Sequence, residues 1–387
     1  MNRTPALAVA LLVAGAASPA VAEPLRLSAD ALAATPSPVG LLVLGGEAGV
    51  RPGVSAEAMV WLGLDQDGSD GDALVMAIIA RRADGRAEAR LGRFVTTAGA
   101  LRPVHLDGVA ARVRLPHRFD VEVFGGVPVV PRLGAQAWDW IVGGRVGRRL
   151  GDWGGTGVAV LERRDRGRLE ARELGVDASL ALGGTDLAGR VAIDLIDPTL
   201  ADVSLIARRR FGAVRAELTA DHRVASHLVP ATSLFSVLGD VASQRLAGSA
   251  RWRAAPRLDL LADVGARRLD GELAADGLIR ATLRLDDLGK GALSAELRRT
   301  GAVDGGWLGA RVAARVPRGR LTLALEGELV MPDEDRGRGT LWPWALAALG
   351  STFGGWDAAI ACEASSTPAD RYRIDVLAQL GRRWQAP

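Results

Sequence analysis

Residues 320–330 read Arg320-Leu321-Thr322-Leu323-Ala324-Leu325-Glu326-Gly327-Glu328-Leu329-Val330. Neighbouring side chains on an extended strand point to opposite faces. Leu321, Leu323, Leu325, Gly327 and Leu329 therefore share one side of a ribbon, and Arg320, Thr322, Glu326 and Glu328 share the other. From about Gly85 to Trp384 the same motif recurs: roughly ten alternating residues, then a turn.

The second face of these ribbons is consistently ionic. Arg112 and Arg114 oppose Val109, Ala111, Val113 and Leu115, and Glu122, beside Asp120, opposes Val121 and Val123. Arg190 and Asp194 oppose Val191, Ile193 and Leu195, while Arg215 and Glu217 oppose Val214, Ala216 and Leu218. Further along, Arg251 and Arg253 oppose Ala250 and Trp252, Asp259 opposes Leu258 and Leu260, and Arg280 opposes Ile279 and Ala281. An arginine facing lipid at mid-membrane costs about 2–4 kcal/mol. Side chains in such number require a common watery interior if the apolar faces meet hydrocarbon. An open sheet in lipid would also leave edge N–H and C=O groups unsatisfied. The pattern thus predicts an all-β fold, an antiparallel transmembrane β-barrel of about 16–20 strands, 18 being the best count. A soluble sandwich would have to cover every apolar face in one domain, which so many amphipathic strands disfavour.

The N-terminus fits this reading. Met1–Ala22 has the form of a secretory signal peptide: Arg3, an apolar stretch from Ala6 to Ala17, and the small-x-small site Ala20-Val21-Ala22. Residues 23–57 are read as an N-terminal segment forming the first barrel hairpin, and 58–387 as the barrel proper. Past residue 22 no apolar run reaches the roughly 18 residues that a helical span needs. One cysteine, Cys362, rules out an intramolecular disulfide framework. The net charge of +3 is spread among interspersed Arg, Asp and Glu, so the clustered patch of a nucleic-acid binder is absent.

Short turns such as Ala83-Asp84-Gly85 and Pro317-Arg318-Gly319 alternate with longer links such as Ala225–Gly239 and Pro332–Thr340. Outer-membrane barrels have short periplasmic turns and long outer loops. With a periplasmic N-terminus, an Asp65–Asp72 loop and the 225–239 segment fall outside; Asp165-Arg166-Gly167 breaks the parity by being short. Trp61, Trp138, Trp140, Trp307, Trp342, Trp344, Trp356 and Trp384 lie near strand ends, where an interfacial girdle belongs.

At the C-terminus Tyr372, Ile374, Val376, Ala378, Leu380 and Trp384 alternate and end on an aromatic. Here the chain resembles the Gram-negative outer-membrane β-barrel family, and Arg90-Leu91-Gly92-Arg93-Phe94 is similar to strand beginnings of porin-like and alginate-export-like members. The extra Gln385-Ala386-Pro387 departs from the family's terminal signal. The resemblance implies the cell outer membrane as location, outer-membrane lipid and lipopolysaccharide as surroundings, and the barrel-assembly machinery as a partner in biogenesis.

Catalytic and metal chemistry is thin. No HExxH, CxxC or GxSxG occurs in a usable context. His222 with Asp221 and Ser226 is the one compact cluster, and it reads as a polar strand end. Asp65, Asp67, Asp70 and Asp72 resemble part of a calcium loop, but Met76 occupies the position of the closing glutamate, so a solvated loop is the better reading and a weak divalent site the other. The apolar 225–239 segment is read either as an inward constriction or as a surface loop.

The expectation is a porin-like channel, not an enzyme and without a cofactor, passing small polar solutes or ions. Its lumen residues would be Arg112, Arg114, Glu122, Arg190, Asp194, Arg215, Glu217, Arg251, Arg253, Asp259 and Arg280. Both signs are present, which predicts modest selectivity. The alternative is a structural or interaction barrel, an export or adhesion component without an open pore.

Overall fold

The computed structural model describes residues 25–35, 39–66, 68–129, 139–224, 242–269, 271–301, 305–333, 341–367 and 372–385. Residues 1–24, read from the sequence as mostly signal peptide, Asp67, Trp138 and the 225–239 link lie outside them. The strands are β1 (Arg26–Thr35), β2 (Val39–Arg51), β3 (Val54–Asp65), β4 (Gly68–Arg81), β5 (Ala87–Thr96), β6 (Val104–Arg114) and β7 (Phe119–Pro128). Next come β8 (Trp140–Arg149), β9 (Gly154–Asp165), β10 (Arg168–Leu182), β11 (Thr185–Asp194), β12 (Thr199–Phe211), β13 (Val214–Arg223), β14 (Ser243–Ala255) and β15 (Leu258–Leu269). The last are β16 (Glu272–Arg284), β17 (Ala292–Thr300), β18 (Trp307–Arg318), β19 (Leu321–Pro332), β20 (Trp342–Phe353), β21 (Trp356–Ser365) and β22 (Arg373–Gln385). Each is antiparallel to the next, and β22 returns to β1 from Arg26↔Gln385 to Thr35↔Val376. The sheet is a closed antiparallel barrel without an edge strand.

The barrel has 22 strands, not the expected 18. The difference lies in turns too small to interrupt a sequence pattern. Gly183-Gly184 (φ 56° and 81°) and Gly354-Gly355 (φ 54° and 82°) each hold two left-handed residues in succession, the requirement of a tight hairpin turn. Two residues are all these hairpins spend. Residues 65–72, read as a loop, are mostly strand: β3 runs to Asp65 and β4 starts at Gly68.

Register separates the faces. Phe94↔Leu106, Ala110↔Phe124 and Gly143↔Leu161 lie on one side and are buried, Ala110 partly; Leu91↔Val109 and Val158↔Val176 lie on the other and are exposed. The buried side is covered by Ala98 and Leu101 of the β5–β6 link, which marks it as the interior. In residues 320–330 the leucines face out and Glu326 and Glu328 face in, opposite Ala313 and Arg311.

The start of β1 and the end of β22 lie at one end, with two-residue turns at 52–53, 183–184, 212–213, 256–257, 319–320 and 354–355. The link 97–103 and the two-residue turn Arg166-Gly167 lie at the other end, as do the strand ends flanking 129–139, 224–242 and 333–341. At the terminal end, outward-facing arginines stack on aromatics: Arg148 on Phe119 at 5.2 Å, Arg209 on Phe211 at 5.0 Å, and Arg382 on Trp356 at 4.6 Å. Arg164 stacks on Trp140 at the opposite rim, 5.5 Å away. The tryptophan girdle needs correction. Trp61, Trp307, Trp342 and Trp344 share the inward register with Asp72, Thr300, Val330 and Glu328; only Trp140, Trp356 and Trp384 of the described members face out.

Candidate functional site: a lumen narrowed by an inward segment

Thr97–Pro103 links β5 to β6 and turns into the barrel. Ala98, Ala100 and Leu101 are almost fully buried. The cluster receiving them contains Phe94, Leu106, Phe124, Ile141, Ala159, Leu161 and Ala171, drawn from β5 through β10. Burying a side chain of this size stabilises by about 1.5–3 kcal/mol, so the segment is anchored rather than draped. Glycines allow the close approach. A Cβ on Gly175 would lie 3.1 Å from the Ala100 Cβ, and one on Gly99 (φ 57°) would lie 2.2 Å from Asp177 Oδ1.

Ion pairs fix the segment's flanks. Arg102 reaches along the inner wall to Glu173 Oε1 on β10 at 3.6 Å and to the Ala201 carbonyl on β12 at 3.5 Å. Beneath Gly99, Arg145 donates from Nη1 to Asp120 Oδ2 at 2.7 Å, and from Nε and Nη2 to Asp177 at 2.9 and 2.7 Å. Arg145 is mostly buried, and its fork satisfies two carboxylates at once. Beside the segment, the β4–β5 ladder stops at Met76↔Arg93 although β4 continues to Gly68. Side chains replace the missing rungs: Arg93 Nη1 donates to the Ala73 carbonyl at 3.1 Å, and His105 Nε2 meets the Leu74 carbonyl at 2.8 Å.

The remaining wall is ionic and open. Arg210, Arg215 and Arg251 are directly opposed on β12, β13 and β14. Like charges so placed repel; acids on the flanks temper this. Arg208 pairs with Glu217, and Asp259 takes Arg251 at 3.2 Å, Arg253 at 3.4 Å and Arg284 at 2.6 Å. Arg208, Arg210, Arg215, Arg251, Arg253 and Asp259 line a hollow of about 980 Å³ at the terminal end. A second hollow of about 580 Å³, among Asp30, Arg315, Arg320, Asp357 and Arg383, lies along β17–β22 and β1.

Register puts all eleven expected lumen residues on the inward face. Arg112 pairs with Glu122 at 3.2 Å, Arg190 with Asp202 at 3.2 Å, and Arg280 Nε donates to Glu296 at 2.6 Å. Asp194 instead accepts the Ile196 N–H. The aspartate group is dispersed: Asp65 accepts from Gly68 N, Asp70 from Gly71 N, and Asp72 from Arg93. Among the described residues no three His, Cys, Asp or Glu side chains are arranged to hold a metal ion. Asp221 and His222 occupy opposite faces of β13, so they cannot act together, and Ser226 lies outside the described residues. Arg102, Arg145, Glu173 and Asp177 were not singled out by the sequence. Their signal was the run Ala98-Gly99-Ala100-Leu101, apolar like the 225–239 segment but shorter.

The fold is that of the outer-membrane β-barrels. No protein-family model matches the chain, and no curated protein matches it. Among solved structures it is similar to the P pilus usher PapC translocation pore, with TM-score 0.55 and 9% identity over 94% of this chain and 100% of that one. It is also similar to the E. coli PapC-PapD-PapK-PapG tip assembly intermediate, with TM-score 0.55 and 10% identity over 93% of this chain and 60% of that one. Pseudomonas aeruginosa OccK2 in complex with glucuronate aligns at TM-score 0.42 and 10% identity, over 94% and 98%.

Proposed function

We propose that this chain is an outer-membrane channel, without enzymatic activity, that passes small polar solutes or ions through a lumen narrowed by its own residues 97–103. The observation that carries the reading is the closed ladder with an ionic inner face, combined with an inward segment tied to β10 by Arg102 and Glu173. A hydrated charged wall and an apolar exterior suit a water-filled passage through lipid. Arginines and carboxylates alternate around the wall, so selectivity is modest. Assembly through the barrel-insertion machinery, in a lipopolysaccharide-bearing membrane, follows from the same reading.

Planar-bilayer recording of the refolded protein tests it. Wild type should give discrete conductance steps, and deletion of residues 98–102 should raise the conductance several-fold. A tight seal from an intact barrel at all voltages would defeat the channel. The depth of burial of Leu101 favours one further reading, a plugged interaction barrel. Silence in wild type with steps in the deletion variant would select it.

A further inference from the structure

We infer that the outward face of β8–β10, at the rim away from the termini, is a binding site for a phosphorylated outer-leaflet glycolipid. Glu162 sits between two arginines on this face. Arg164 donates to it from Nε at 3.0 Å, and Arg172 donates from Nη2 at 2.7 Å and from Nε at 3.2 Å. The three belong to the outward register with Trp140, Val142 and Val160, while their strand neighbours Arg163, Ala171 and Glu173 are buried inside. Arg164 also stacks over Trp140.

One carboxylate between two guanidiniums leaves a net positive charge on a lipid-facing surface. Such a charge is tolerated only near the interface, and there an anion lowers its cost. Neither arginine exhausts its donors on Glu162. Each guanidinium carries five N–H groups in a planar fork suited to phosphate oxygens. Trp140 supplies the amphipathic ring that favours headgroup depth. Along the strands from this cluster, Val142, Val146, Val158, Val160 and Val176 form a lipid-facing stripe, 44–53% exposed. A phosphate on the arginines and acyl chains along the valines fit one molecule with both parts. The longest links of the chain, 129–139 and 224–242, join strands at this rim, whereas β1 starts and β22 ends at the other, which places the cluster in the outer leaflet although its own turn, Arg166-Gly167, is short. The site depends on that membrane placement and not on an open lumen.

Thermal unfolding of the detergent-solubilised protein, followed by heat-modifiable gel mobility, tests the inference. Bisphosphorylated lipid A should raise the wild-type midpoint, and dephosphorylated lipid A should not. R164Q/R172Q should need at least tenfold more lipid A for the same shift, each single variant should fall between, and R209Q at the opposite rim should respond like wild type. An unchanged response in the double variant, or an equal shift from phosphatidylglycerol, would overturn the site. Conductance read on the same variants should stay at the wild-type value, so failure here is distinguishable from failure of the channel.

Discussion

Two arcs of one wall, β5–β10 and β13–β22, obey the same alternation and fill their inner faces differently. On β5–β10 the inward positions hold Phe94, Leu106, Phe124, Ile141 and Leu161, and protein covers them. Along β13–β22 the inward positions hold Arg215, Glu217, Arg251, Asp259, Arg280 and Glu326, of which Arg215, Arg251, Asp259 and Glu326 border hollows. Where the chain folds back, the inner face is apolar with charges held in paired clusters such as Arg145 with Asp120 and Asp177; elsewhere it is ionic and borders hollows.

The largest expected effect is in the covered arc. Arg145→Ala leaves the part-buried Asp120 and Asp177 without their shared cation, a loss of about 3 kcal/mol, which urea unfolding should register. Leu161→Ala comes next, at about 2–4 kcal/mol, because it opens a cavity in a fully buried contact. In the open arc Arg208→Ala removes a pair whose members are 40% and 30% exposed, and should cost under about 1 kcal/mol. Equal losses from Arg145→Ala and Arg208→Ala would erase the distinction between the arcs. Arg215→Glu should leave the unfolding midpoint nearly unchanged yet move the reversal potential in a salt gradient toward cations, since Arg215 stands between Arg210 and Arg251. The smallest effect belongs to the Leu285–Gly291 turn. Backbone N–H groups of Lys290 and Gly291 hold the Asp286 carboxyl below its usual range. Its contribution is complete above the ordinary carboxylate range and disappears as pH falls through the lowered value. Amide exchange at Gly291 should therefore accelerate in acid, and Asp286→Asn should flatten that response.

Alternation at residues such as 320–330 made the barrel legible, because the strand period of two writes the inside and outside directly into the chain. The ionic lumen face was readable for the same reason. Strand number was harder: Gly183-Gly184 and Gly354-Gly355 hide inside continuous small-residue runs. The inward segment was least visible. What holds Leu101 is Gly175 and Leu161, and what orders Arg102 is Glu173, all remote in sequence. Local pattern cannot report such distant partners. Tryptophan misled for a related reason. The ring of Trp307 lies against Gly309, within 2.7 Å of where a Cβ would stand, a glycine-covering role inside the wall rather than a headgroup anchor.

The junction of β1 with β22 carries a lesson about biogenesis. It joins Arg26 to Gln385, so the final seam unites the earliest and latest described strands to leave the ribosome. Until that moment two raw borders remain, each able to recruit a stranger. Closing that seam costs the loop-closure entropy of nearly all the described strands, and a chain lacking β22 would keep β1 and β21 as unpaired borders.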